Sequence, residues 1–159
     1  CKFPIFKKAF LFSCMTGLRW SDIHKMTWAE VRDEDNMAKV VFRQKKTKGQ
    51  EYLPISNQAR EMLGERGEQA DHVFFGLKYS SHNNHELERW AMRAGINKHI
   101  TFHSARYTFA TIQLTLGTGI YTLSKLLGHS ELRTTQIYGA IIDSEKEEAM
   151  ERLPDIGID

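Results

Sequence analysis

The sequence predicts a mainly α-helical domain that carries one small antiparallel β-sheet. Apolar residues recur at helical spacing over residues 3–15 and again through most of the second half of the chain. Residues 37–43 and 51–55 are β-like and flank a polar segment with Gly49 near its tip, which is typical of a hairpin. One compact domain over residues 1–159 is expected, because 41% hydrophobic content is enough to fill a single core.

The predicted helices are bounded by residues that commonly cap or end helices. Ser and Asp side chains accept hydrogen bonds at helix starts, and glycine ends helices because it adopts left-handed backbone angles. In chain order, helices are expected over 3–15, stopped by Thr16-Gly17; from Ser21-Asp22 to Met26; over 57–66 after Ser56; from Ser80 or Ser81 to Arg93; over 103–116; over 120–127; after Ser130; and over 143–152.

The net charge of +2 conceals an uneven distribution along the chain. Counting Lys and Arg against Asp and Glu gives +6 for residues 1–60, −1 for 61–100, +2 for 101–139 and −5 for 140–159. This asymmetry suits a protein that lays one face on a polyanion, although solvated charge on an ordinary surface gives similar counts. Charge alone therefore does not decide the function.

Composition limits where the protein is expected to act. No apolar stretch approaches the roughly 20 residues of a membrane helix, and the N-terminus lacks a signal-peptide pattern. Two cysteines are too few for a disulfide framework, and Cys14 lies in an apolar run where a buried thiol is expected. We expect a soluble, cytoplasmic protein without a membrane partner. Because the chain begins at Cys1 within helix-like sequence, it is expected to be a piece of a longer protein.

Short motifs along the chain acquire specificity from their order and spacing. Separately they are weak, since His-x-x-Arg occurs by chance in many proteins. The motifs are Thr16-Gly17-Leu18-Arg19, a lysine-rich hairpin, His103-Ser104-Ala105-Arg106, Leu126-Leu127-Gly128-His129, and Tyr138 nine residues after that histidine. Together they resemble the tyrosine recombinase, or phage integrase, family, and the resemblance spans residues 9–139.

The residue types fit the transfer of a phosphodiester between two oxygens. That reaction needs a nucleophile, cations for the two non-bridging oxygens and a proton for the leaving alkoxide. The arginine fork binds phosphate oxygens bidentately and stays charged, so Arg19 and Arg106 are the candidate phosphate ligands. The alternative for each is a surface or structural ion pair.

The resemblance implies a role for each remaining motif residue. Tyr138 would be the nucleophile, and His103 and His129 would hydrogen-bond the phosphate, with His103 also accepting the tyrosine proton. Asp22 would play a supporting role by orienting Arg19 or its backbone. Alternatively the histidines are packing residues and Tyr138 is an interfacial aromatic with a hydrogen-bonded hydroxyl.

In the family a hairpin lysine protonates the leaving 5′ oxygen. Lys46 is the best match, because it stands in a Lys-Thr pair eight residues before Pro54. Lys45, Lys48 and Arg43 would contact the DNA backbone. The alternative is that all three lysines are solvated groups near the phosphates.

No metal or other cofactor is expected. A Walker-type glycine loop and a two-metal acidic cluster are not apparent, and His82 and His85 are better explained by a polar helix start than by a metal site. The family stores the phosphodiester energy in the enzyme linkage, so its reaction needs neither ATP nor Mg²⁺.

By resemblance, the chain is the catalytic domain of a site-specific DNA recombinase or integrase of a mobile element. The reaction would pass through a 3′-phosphotyrosyl bond and a Holliday junction, in a homo-tetramer on double-stranded DNA. DNA-bending accessory proteins are partners that such systems often use, and the 140–159 tail is a candidate for packing on a neighbouring protomer. The alternatives are a type IB topoisomerase and a catalytically silent DNA-binding or assembly module of the same fold.

Overall fold

The computed structural model describes residues 2–34, 37–43 and 50–128, together with residues 135 and 137. The chain divides into two compact units, residues 1–109 and residues 110–159. The predicted class, mainly α with a small antiparallel sheet, is confirmed. The described elements are α1 (Pro4–Thr16), α2 (Trp20–Lys25), a 3-10 turn (Trp28–Glu30), β1 (Val31–Glu34), β2 (Met37–Arg43), β3 (Gln50–Ile55), α3 (Asn57–Leu63), α4 (Ser81–Arg93), α5 (Ser104–Thr115) and α6 (Ile120–Leu126).

The sheet in the first unit has three antiparallel strands in the order β1-β2-β3. Val40 of β2 pairs with Val31 of β1 and with Leu53 of β3, and all three side chains are buried. The pairing of β2 with β3 confirms the predicted hairpin. The sequence did not predict β1, because only its first residue is buried and three exposed polar residues follow.

Aromatic side chains form much of the core of the first unit. The ring of Phe102 lies 4.9 to 5.9 Å, centroid to centroid, from the rings of Phe6, Phe10 and Trp20. Full burial of a phenylalanine contributes about 1.5 to 3 kcal/mol. This packing fixes the segment before α5 against α1 and α2, and therefore fixes where the next residue, His103, can lie.

Most helix boundaries lie at the capping residues that the sequence indicates. Helix α1 ends at Gly17, whose φ of 70° is left-handed, and α4 begins after Ser80, whose hydroxyl accepts a hydrogen bond from the Asn83 amide. Ser56 caps α3 in the same way. The predicted end of α3 at residue 66 is wrong, because Gly64, with a φ of 79°, terminates the helix at Leu63.

The described part of the second unit comprises the end of α5, a glycine turn and α6. Gly117 has a φ of 82°, and its amide donates to the carbonyl of Leu114. Leu114 and Leu123 are buried. The predicted helices after Ser130 and over 143–152 lie outside the described residues. Within the described part of the chain, no helix is long and apolar enough to cross a membrane.

Candidate active site

The turn between α1 and α2 carries Arg19. The left-handed Gly17 reverses the chain at the end of α1, and its amide donates to the carbonyl of Ser13 at 2.8 Å. Two residues later, Arg19 is the N-cap residue of α2 and is exposed. The turn therefore presents the arginine to solvent at the start of a helix.

Arg106 lies in the first turn of α5, and its side chain contacts the turn that carries Arg19. Its residue is 5% exposed, and its Nη1 atom donates to the carbonyl oxygen of Gly17 at 2.5 Å. This bond connects residues that are 89 positions apart. The two arginines of separate sequence motifs therefore meet at one turn of the chain.

His103 precedes Arg106 by one turn, and its carbonyl accepts a hydrogen bond from the Arg106 amide at 3.1 Å. The imidazole contacts the ring of Tyr107 edge to face, at 5.1 Å between centroids. Partial burial, and then the charges of Arg106 and Arg19, lower the pKa of His103 below its ordinary value of 6.5. The neutral imidazole, which can accept a proton, is thereby favoured.

The three residues share a surface cavity of about 460 Å³. Its cations suit an anionic group, and its apolar walls strengthen charge interactions by lowering the local dielectric constant. The ring of Trp20, at 5.2 Å from the ring of Tyr79, anchors that exposed tyrosine at the wall. The complete lining is Ser13, Leu18, Arg19, Trp20, Ser21, Tyr79, Phe102, His103 and Arg106.

A second cavity, of about 630 Å³, lies beside β1 and is lined by Asp33 and Arg66. The Arg66 Nη1 atom donates to a carboxylate oxygen of Asp33 at 3.2 Å, and the Nε atom of Arg60 donates to the other oxygen at 2.7 Å. Because the carboxylate offsets the charge of the two arginines, this cavity is a weaker anion site than the one at Arg19.

Asp22 and the two histidines of α4, His82 and His85, contact neighbouring residues of the protein. The Asp22 amide donates to the Arg19 carbonyl at 3.0 Å, while its carboxylate lies 3.7 Å from the Lys25 ammonium. His82 contacts the ring of Phe3, and His85 lies 3.8 Å from the carboxylate of Glu88. The supporting role of Asp22 stays a prediction.

The side chains of the six other predicted site residues lie outside the described part of the chain. Lys45, Lys46, Lys48, His129 and Tyr138 lie outside the described residues, as does the 140–159 tail. Arg43 is part of β2, but its side chain also lies outside the described part. Their roles stay predictions that rest on the sequence motifs.

The structure adds residues that motif reasoning missed. The hydroxyl of Ser13 is buried and donates to the carbonyl of Leu18, next to Arg19, while the hydroxyl of Thr16, which belongs to the first motif, accepts from the Leu18 amide. The available signal was two hydroxyl residues three positions apart in an otherwise apolar helix end. Tyr79 carried no such signal, because it lies in a loop far from the motifs in sequence.

Residues 5–145 match the sequence model of the phage integrase family. The chain belongs to this family. Among curated relatives of this integrase-family chain, the tyrosine recombinase XerA of Saccharolobus solfataricus is 32% identical over 129 residues, which are 80% of this chain and 43% of the relative. A tyrosine recombinase of Pseudothermotoga lettingae is 29% identical and covers 90% of this chain and 51% of its own length. The chain thus spans about half the length of these relatives.

Solved structures of recombinases and integrases share the fold of this family member. The catalytic domain of bacteriophage HP1 integrase is 27% identical with a TM-score of 0.61, and the similarity covers 92% of this chain and 81% of that domain. The XerH site-specific recombinase bound to palindromic difH substrate has a TM-score of 0.69 at 16% identity, over 92% of this chain and 45% of XerH.

Proposed function

We propose that this chain is the catalytic domain of a site-specific DNA recombinase that acts on double-stranded DNA. The observation that carries the proposal is the convergence of Arg19, His103 and Arg106 on one cavity. Membership of the phage integrase family supports it, as does the XerH complex with its difH substrate. Two arginines and an imidazole with a lowered pKa suit a phosphate that gains charge during the reaction.

In the cleavage step, the phenol oxygen of Tyr138 attacks the scissile phosphorus and the bond from phosphorus to the 5′ oxygen breaks. His103 accepts the phenolic proton, and Lys46 gives a proton to the leaving 5′ oxygen. Arg19, Arg106 and His129 bind the non-bridging oxygens. The products are a 3′-phosphotyrosyl bond and a free 5′ hydroxyl.

Rejoining reverses these steps on a different strand. A 5′ hydroxyl from a partner duplex attacks the phosphotyrosyl bond and releases Tyr138. One phosphodiester is formed for each one broken, so the sequence of steps needs no ATP. Two rounds exchange both strands through a Holliday junction, within a homo-tetramer on two DNA sites.

The test is covalent trapping by the full-length protein. On a nicked suicide site, cleavage releases a short fragment that bears the free 5′ hydroxyl. Because this fragment diffuses away and cannot rejoin, the phosphotyrosyl adduct accumulates and can be quantified on a denaturing gel. We expect Tyr138→Phe to abolish the adduct.

Tyr79→Phe is the matched control, because Tyr79 is another tyrosine and lines the cavity that Arg19, His103 and Arg106 share. We expect this variant to keep the adduct. An adduct that persists in Tyr138→Phe and disappears in Tyr79→Phe would reassign the nucleophile, and no adduct in wild-type protein would refute the proposed function.

A further inference from the structure

The backbone on both sides of Arg19 is held by hydrogen bonds. Before it, the Leu18 amide lies 3.4 Å from the hydroxyl oxygen of Thr16. After it, the carbonyl of Arg19 accepts hydrogen bonds from the amides of Asp22 and Ile23 at 3.0 and 3.1 Å. The second set belongs to the first turn of α2 and would form in any such helix.

The hydroxyl of Ser13 makes a less common contact on the side that precedes the arginine. A Ser or Thr hydroxyl in a helix usually bonds to a carbonyl one turn back, as Thr16 does to Phe12 at 2.8 Å. The Ser13 hydroxyl instead donates forward, across the end of α1, to the carbonyl of Leu18 at 2.8 Å. Ser13 is 1% exposed and also lines the cavity that contains Arg19.

The accepting carbonyl belongs to the peptide group that joins Leu18 to Arg19. Peptide groups are planar, so holding this carbonyl also fixes the nitrogen and Cα positions of Arg19. Leu18 is 6% exposed, and therefore solvent is a poor substitute for the lost donor if the hydroxyl is removed.

We infer that Ser13 is a positioning residue for Arg19, and this inference rests on the proposed function. Its hydroxyl holds the Leu18–Arg19 peptide group. The guanidinium of Arg19 is therefore already in position to bind the scissile phosphate when DNA arrives. Positioning before the substrate arrives is effective, because a displacement of about 1 Å in an active site can lower a rate on the order of 100-fold.

The experiment compares variants of the full-length protein on the nicked suicide site at saturating DNA, and measures the rate of adduct formation and, separately, DNA affinity. Ser13→Ala removes the donor. Ser13→Cys keeps the shape of the side chain but donates weakly. Ser56→Ala is the control: it removes a partly buried hydrogen bond, which the Ala59 amide donates to the Ser56 hydroxyl, at the start of a helix that does not line the cavity.

For Ser13→Ala we expect the rate of adduct formation to fall by on the order of 10- to 100-fold relative to wild type, while DNA affinity stays within about twofold. Ser13→Cys should give an intermediate rate. Ser56→Ala should change the rate little. A second substrate carries an uncharged methylphosphonate at the scissile position. Since a neutral phosphorus centre needs less help from arginine, the difference between wild type and Ser13→Ala should shrink there.

Equal losses for Ser13→Ala and Ser56→Ala would overturn the inference, since both would then reflect stability alone. So would a difference that stays the same on the methylphosphonate, or a loss confined to DNA affinity. If wild-type protein itself forms no adduct, the proposed function fails and this inference fails with it; a fully active Ser13→Ala variant refutes the inference only.

Discussion

Arg106 combines a structural contact with its proposed role at the phosphate. Its guanidinium, in a residue that is 5% exposed, holds the carbonyl of Gly17 and so supports the turn that carries Arg19. Burying an arginine is costly unless its donors find acceptors, and the Gly17 carbonyl is one such acceptor. Arg19 stands exposed on the same turn. Loss of the Arg106 side chain should therefore also displace Arg19. Loss of the Arg19 side chain should leave Arg106 and the turn unchanged.

This difference predicts distinct stability changes for two substitutions. Arg106→Ala leaves the Gly17 carbonyl without this donor in a buried place, which typically costs about 1 to 3 kcal/mol. Arg19→Ala changes an exposed side chain and should alter the free energy of unfolding by less than about 0.5 kcal/mol. Urea unfolding of both variants measures the two values. Equal destabilisation would contradict the structural role of Arg106.

The lowered pKa of His103 makes stability depend on pH in a defined direction. Because its folded pKa lies below the ordinary 6.5, the unfolded chain binds this proton more readily. Stability should therefore fall as pH decreases from about 6.5 and reach its full loss below the folded pKa. His103→Gln removes the titrating group, so its stability should depend less steeply on pH in this window.

Titration of the imidazole by NMR checks this directly, with an expected midpoint below 6.5 in the free protein. Bound DNA would place a phosphate beside the imidazole and the two arginines, so the midpoint should rise in the complex. A free-protein midpoint above 6.5 would contradict the electrostatic account.

At the scale of single residues, the sequence was informative where function restricts residue type. The motifs around Arg19, His103 and Arg106 could be recognised by their order and spacing, and their side chains suit the proposed phosphate chemistry. Ser13 could not be assigned, because a serine in a helix has several local hydrogen-bond acceptors and its choice depends on the turn that follows.

Among the elements, β1 and α3 are joined by a compact charged cluster. The Asp33 carboxylate of β1 bonds Arg60 of α3 and Arg66 of the following loop, and both guanidinium groups lie 5.7 to 5.8 Å from the Trp28 ring. Hydrogen bonding and charge interaction with Arg60, followed by those with Arg66, hold the pKa of Asp33 below its ordinary 3.8, although partial burial opposes this. The cluster stabilises β1, a short strand in which only the first residue is buried.

The cluster gives a pH-dependent prediction for Asp33→Asn. A carboxyl with a depressed pKa stabilises the fold above its unfolded pKa, and this contribution is lost as pH falls through the folded pKa. The variant should therefore unfold at lower urea than wild type at pH 7. The difference should begin to shrink as pH falls towards 3.8 and should vanish only below the folded pKa of Asp33, which is lower still. Glu34→Gln, which removes an exposed carboxylate paired with Lys39, is the control and should have a smaller effect. A difference that is constant with pH would contradict this.

Sequence predicted the long elements better than the short ones. The caps at Ser56 and Ser80 and the stop at Gly17 follow from local hydrogen bonding and backbone angles, which a sequence states directly. Strand β1 depends instead on the pairing of Val31 with Val40 across the sheet and on the Asp33 cluster. These are tertiary contacts, and four residues of which only the first is apolar are too few to indicate them.

For the whole molecule, the uneven charge indicates how the chain would meet DNA and its neighbours. The basic first 60 residues, with a net charge of +6, suit a phosphate backbone, while residues 140–159 carry −5 and would be repelled by it. An acidic sequence with apolar residues at helical spacing suits contact with protein better than contact with DNA. We therefore propose that the tail docks on a neighbouring protomer within the proposed tetramer.

Ending the full-length protein after Gly139 tests this role, in a Tyr138→Phe background that prevents cleavage. If the tail joins protomers, truncation should leave binding of one protomer to one site intact, because the proposed phosphate contacts lie in other parts of the chain. The proposed tetramer on paired sites should be lost. Gel shifts and sedimentation of the DNA complexes distinguish the two states.

A matched variant changes Glu145, Glu147, Glu148 and Glu151 to Gln and keeps the apolar residues of the tail. If charge directs docking, this variant should need more protein to assemble, and added salt should weaken wild-type assembly in the same way; assembly by the truncated protein at wild-type concentrations would refute the docking role.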